Sequence, residues 1–143
     1  MPIDRWLEFH DSKVIAVHCD SARAHLDLDG YIHQWEDVGA SRRGTGWIQR
    51  VRLELDTPTV VRLIHTLPAS LWDGRALSRG LPQDEEGTLT VPIFVDDSTE
   101  LELEATSGEK LKISGKRLRA STSGEPRFLE EIPLSMDPER ASD

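Results

Sequence analysis

Glu100-Leu101-Glu102-Leu103-Glu104-Ala105-Thr106-Ser107-Gly108-Glu109-Lys110-Leu111-Lys112-Ile113 decides the fold class. Apolar and charged residues take turns on both sides of a small polar break. A period of two puts one set on each face of a strand, whereas a helix would scatter both sets around its axis. Thr106-Ser107-Gly108 reads as a three-residue hairpin loop with Gly108 at the left-handed position. That register sets Leu103 against Leu111 and Leu101 against Ile113, with Glu104 against Lys110 and Glu102 against Lys112 on the other face. Such pairs contribute roughly 0.2–1 kcal/mol each, so the charge run reads as a solvated sheet face and not as a binding patch.

The same alternation extends outward. Ile15, Val17 and Cys19 form one arm and Ala22, Ala24, Leu26 and Leu28 the other, around a turn at Asp20-Ser21. A two-residue loop pairs Cys19 with Ala22, Val17 with Ala24 and Ile15 with Leu26. Asp29-Gly30 suits a type I′ turn, which makes residues 31–36 a third strand of a meander. Trp47, Gln49, Val51, Leu53 and Leu55 share one face of a further strand. Leu89, Val91, Ile93 and Val95 share another, where Pro92 predicts an edge or a bulge. Residues 5–10, 60–65, 116–120 and 127–132 raise the total to about eight to ten strands.

Asp11-Ser12 reads as the bend between the first two strands. Residues 37–46 and 66–86 read as long loops, the second with a short helix near Ala69-Ser70-Leu71-Trp72. Residues 135–143 are polar without period and are expected to fray. So many antiparallel strands need a second layer to cover their apolar faces. The expectation is one all-β domain over residues 1–134, an antiparallel β-sandwich or flattened barrel with long connecting loops.

The 143 residues carry 26 acidic and 17 basic side chains, a formal charge of −9. That surface repels phosphate backbones, so no nucleic-acid partner is expected. No run approaches the ~18 apolar residues of a membrane helix, and the start lacks an apolar signal core. A cytoplasmic protein without a membrane partner follows as the expectation. The lone Cys19 offers neither a disulfide nor a thiol metal pair and reads as a small buried hydrophobe.

Trp6-Leu7-Glu8-Phe9-His10-Asp11-Ser12 and Gly124-Glu125-Pro126-Arg127-Phe128-Leu129-Glu130-Glu131 resemble the two ends of a group of small bacterial all-β proteins of about this length. That group implies no activity and no catalytic residues. The Phe9-His10-Asp11-Ser12 start is also similar to immunity-type proteins that neutralise secreted bacterial toxins, which implies a protein partner.

Residue chemistry narrows the candidates for a site. His18 falls diagonal to His25 with Asp27 on the same face, the only approach to a metal set among the five histidines, but no ligand spacing accompanies it, and no cofactor is expected. His10-Asp11-Ser12 holds the residue types of a hydrolytic triad, yet neighbours on a strand point to opposite faces. His10 remains a contact candidate if Trp6 or Trp35 closes a cavity over it. Arg42 and Arg43, in the glycine-rich stretch Ser41 to Trp47, are candidates for binding an anion or an acidic surface. Three tryptophans sit at core parities, and Trp72 is expected to plug one end of the sandwich or to anchor a partner. No nucleophile motif or phosphate cradle is present. The expectation is therefore a non-enzymatic protein-interaction module, with a small-ligand-binding barrel as the alternative and a hydrolase built on His10 or His25 behind both.

Overall fold

The structure is a computed structural model and describes residues 3–81 and 87–137. Its ten strands are β1 (Ile3–Cys19), β2 (Arg23–Val38), β3 (Ser41–Asp56), β4 (Thr59–Arg62), β5 (Ala69–Ser78), β6 (Thr88–Thr90), β7 (Ile93–Val95), β8 (Thr99–Ala105), β9 (Lys110–Gly115) and β10 (Leu118–Ile132). They form one antiparallel sheet in the order β4-β9-β8-β5-β1-β2-β3-β10-β7, curled into a half-barrel, with β6 also paired to β1. The all-β architecture is the expected one. No helix among the described residues is long and apolar enough to cross a membrane.

Curling brings the apolar faces of one sheet together, so the sheet supplies its own second layer. Leu7, Phe9 and Val14 of β1 meet Leu26, Leu28 and Ile32 of β2, Val51, Leu53 and Leu55 of β3, and Leu101, Leu103, Leu111 and Ile113 of β8 and β9 in a single core. At roughly 25 cal/mol per Å² of apolar surface removed from water, this burial is the main force holding the half-barrel closed. β6 and β7 close it further. They are joined through the cis Val91-Pro92 bond, and one pairs with β1 while the other pairs with β10. Pro92 thus marks a change of partner: the single strand expected here, with an edge or a bulge at Pro92, is two short strands.

The hairpin of β8 and β9 has the expected register, with Leu103 opposite Leu111 and Leu101 opposite Ile113. Gly108 takes φ 94°, as its loop position requires. Lys112 reaches Glu100 at 3.0 Å and Glu102 at 3.6 Å on the opposite face.

Several expectations are corrected. Asp29 and Gly30 form no turn but lie inside β2, because a Cβ at Gly30 would come within 2.7 Å of Val51 and 2.8 Å of Leu7. The glycine leaves room for packing rather than permitting a bend. The first hairpin pairs Cys19 with Ala24 and Val17 with Leu26, two residues away from the predicted register. A slip of two preserves the face, so Val17 and Cys19 still pack against the core with Ala24 and Leu26, while Ala22 is exposed in the connection and a register shift at Ile15 gives Val14 the core position before it. Asp20 stabilises the longer connection by accepting from the amides of Ala22 and Arg23 at 2.8 and 2.9 Å. Cys19 is half-buried against the core rather than inside it.

Asp11-Ser12 is a bulge within β1, not a bend between strands, and the strands expected over residues 116–120 and 127–132 are one strand, β10, which begins only at Leu118. The stretch over residues 37–46 is no long loop. β2 and β3 pair as far as Val38 and Ser41, and Gly39, with φ 63°, lies in the short connection between them. Residues 69–78, expected as loop and short helix, are β5, whose alternate residues Ala69 and Leu71 are buried. Of the second predicted loop, residues 82–86 lie outside the described residues. The tail folds back at its start: Leu134–Met136 forms one 3₁₀ turn, and the buried Asp137 accepts from Arg42 at 3.3 Å. Residues 138–143 lie outside the described ones.

Candidate functional site

Two bulges build the most distinctive surface. In β1 the pairing with β2 breaks between Glu8 and Lys13, and Asp11 takes φ 73°, a conformation that a non-glycine side chain rarely adopts. The buried Ser12 hydroxyl holds this break. It donates to the Glu8 carbonyl at 2.5 Å and accepts from the Tyr31 amide at 2.9 Å. In β5 the pairing with β8 breaks between Leu71, which faces the core, and Asp73, opposite Glu104, so Trp72 is the extra residue. A bulge re-aims side chains, and here two bulges on neighbouring strands put His10 against Trp72. Their rings meet edge to face with centroids 5.7 Å apart. Trp72 is 61% exposed, so the expectation that it plugs the core is overturned. His10 is exposed too, and its neighbour is Trp72 rather than Trp6 or Trp35.

From this pair the surface continues along β1 and β2. Asp11 lies 3.2 Å from His10 Nδ1. Glu8 accepts from Trp6 Nε1 at 3.2 Å and lies 3.6 Å from His33 Nδ1, and the Tyr31 hydroxyl donates to Glu130 at 2.5 Å. The Tyr31 ring meets His33 at 5.0 Å, and a Cβ at Gly46 would come within 2.6 Å of the Tyr31 hydroxyl oxygen, so the glycine leaves the space that Tyr31 fills. Burial, assisted by Glu130, pushes the Tyr31 phenol far above its ordinary value. Burial lowers His33 and outweighs the opposing pull of Glu8, Glu130 and Asp11. Tyr31 is therefore protonated and His33 neutral near pH 7.

The carboxylates of this strip contrast with several on the neighbouring strands. Asp27 is held by Arg52 at 2.7 Å, Asp29 by Arg50 at 3.3 Å and Glu102 by Arg75 at 2.7 Å. Among the described residues, the partners of Glu8, Asp11 and Glu130 are instead Trp6, His10, Tyr31 and His33, with no ion pair to Lys or Arg. Such a surface offers negative charge and aromatic rings together. It holds no activated nucleophile, since the Ser12 hydroxyl is buried and turned to a backbone carbonyl.

The other sequence candidates lie elsewhere. Arg42 and Arg43 sit on β3, not on a loop, and their charges are satisfied within the chain. Arg42 lies over Trp35 with Asp37 and Asp137 at 3.3 Å and Asp4 at 3.6 Å, while Arg43 reaches Glu131 at 2.5 Å. His18 lies directly opposite His25, not diagonal to it, with the rings stacked at 5.1 Å, while Asp27 is engaged by Arg52. No group of three or more metal-ligating side chains occurs among the described residues. A concavity of about 850 Å³ opens against β5, β8 and β9, lined by Arg62, Asp73, Arg75, Glu102 and Lys112 among others, with Arg75 and Lys112 both paired to Glu102.

Sequence reasoning missed Glu8, Tyr31 and His33 as a group. The signal was present in Trp6-Leu7-Glu8 and Tyr31-Ile32-His33, two aromatic and polar alternations that face each other once Gly30 is read as strand interior. Assigning a turn to Asp29-Gly30 concealed that register. No protein-family model, curated protein or solved structure matches the chain.

Proposed function

We propose that this chain is a non-enzymatic interaction module of bacterial origin that engages a protein partner through the strip from Trp72 and His10 to Glu8 and Glu130, in the manner of the immunity-type proteins its Phe9-His10-Asp11-Ser12 start resembles. The observation that carries this reading is the 61% exposure of Trp72 beside His10 on adjacent bulged strands. A large exposed aromatic on a rigid sheet is ready to bury area with little loss of side-chain freedom, and tryptophan is enriched among residues that dominate binding energy. The uncompensated carboxylates around it suit a partner surface bearing Lys or Arg.

The test is co-purification of the wild-type chain from its native host at physiological salt, identification of a stoichiometric partner, and calorimetry with both components purified. Trp72→Ala is expected to weaken binding by about thirtyfold, the mark of a central contact. Absence of a stoichiometric partner, or unchanged affinity in both Trp72→Ala and His10→Ala, overturns the proposal.

A further inference from the structure

Tyr31, His33 and Trp35 alternate along β2 with the core residue Ile32, so they stand on the outer face of the sheet. Tyr31 and Trp35 are buried all the same, Trp35 completely, and neither belongs to the core cluster. On a face turned away from the core, something other than the sheet must cover the indole. Gly44 stands directly opposite and leaves room for it, since a Cβ there would come within 2.5 Å of the ring. Arg42 lies over the ring, with Cζ 6.0 Å from the centroid. Asp137 accepts from Arg42 Nε at 3.3 Å, and the turn Leu134–Met136 just before it packs against β3. Residues 133–137 thus cross the outer face and fasten onto the group that caps Trp35.

Two features make this closure easy to release. The turn Leu134–Met136 buries none of its side chains, with Leu134 42% and Met136 59% exposed, so little apolar surface returns to water when it lifts. The buried residue of the segment is Asp137, a charge, and its guanidinium partner also has Asp37 at 3.3 Å and Asp4 at 3.6 Å. Arg42 therefore keeps carboxylate partners after Asp137 has left. The second feature is Trp35 Nε1, which is buried without an acceptor. An unpaired buried donor is unfavourable, and water satisfies it once the cover lifts. Segments held by few buried apolar contacts open locally, ahead of the rest of a fold.

We propose that residues 133–137 are a latch, with Asp137 as its catch on Arg42, and that opening the latch uncovers Trp35. The indole then joins His33, whose ring already meets Trp6 at 5.9 Å and Tyr31 at 5.0 Å, in a longer aromatic row on the outer face. The closed form conceals the end of that row. The latch is a property of this chain alone and does not rest on the partner contact proposed for Trp72.

The experiment follows hydrogen exchange of the Trp35 indole N–H in the full chain by nuclear magnetic resonance, at urea concentrations below the unfolding transition, beside the amide of Leu53 in β3. Exchange at Trp35 is expected to be insensitive to urea, because opening the latch exposes little surface, while exchange at Leu53 accelerates with it. Asp137→Asn is expected to speed the Trp35 exchange by at least about tenfold, the loss of one charge-assisted contact. Asp37→Asn removes a partner that Arg42 keeps in both forms, and should change the Trp35 exchange by less than about twofold. Exchange at Trp35 that rises with urea in parallel with Leu53 overturns the proposal, because the indole is then freed by global unfolding alone. Equal rates in wild type and Asp137→Asn, or an acceleration by Asp37→Asn as large as that by Asp137→Asn, overturn it as well. If Asp137→Asn does not fold, the urea dependence of the wild-type chain decides by itself.

Discussion

His33 shows how position, not residue type, sets chemistry in this chain. All five histidines look alike in the sequence, and pattern alone drew attention to His10, His18 and His25. The half-buried ring of His33, between Trp6, Tyr31 and Glu8, is distinguished only by contacts across strands. Its imidazole has a folded pKa below the unfolded value of about 6.5. The unfolded state therefore binds more protons at mildly acidic pH. The stability that the neutral ring contributes is present above pH ~6.5 and is lost as pH falls through the folded value. Urea unfolding at pH 7.5 and 5.5 should show wild type losing more stability on acidification than His33→Gln. An equal loss in both contradicts the buried, neutral imidazole. Trp72 gives the converse lesson: its exposure was not legible, because the bulge that expels it depends on its pairing with β8.

Among the strands, legibility followed agreement between levels. In β8 and β9 the alternation, the Thr106-Ser107-Gly108 loop and the opposed charges all specify one register, and the fold adopts it. In β2 they conflict. Asp29-Gly30 has the chemistry of a tight turn, yet the alternation continues across it from Leu28 to Ile32, and packing of Leu7 and Val51 over Gly30 prevails. Sequence periodicity carries the face of a residue, while the neighbour that needs empty space lies on another strand. Gly30→Ala tests this directly. In a strand the change should help on propensity alone. Here the added methyl meets Val51 and Leu7, and overpacking is expected to cost about 1–3 kcal/mol. The measurement is the shift in urea midpoint with the denaturant slope unchanged; an unchanged or raised midpoint would contradict the close packing of Val51 and Leu7 over Gly30.

At the scale of the molecule, one sheet curls until its own apolar face is covered, which is why the sequence could not separate a sandwich from a barrel: both need the same alternation. The edges of the sheet are poor templates for further pairing. β4 is four residues long and bulged, and β7 is three residues long, follows Pro92 and has Arg119 stacked 5.3 Å from Phe94. Short, bulged or charged edges oppose strand addition, so the proposed partner contact is assigned to the side-chain surface of β1 and β5 and not to an edge. The account rests on Trp72 standing outside that scaffold while Trp35 lies within it. Oxidative labelling of the four tryptophans in the free, folded chain, read by peptide mass spectrometry, measures this placement. Trp72 is predicted to label fastest and Trp35, with 0% exposure, slowest; protection of Trp72 equal to that of Trp35 would contradict the account.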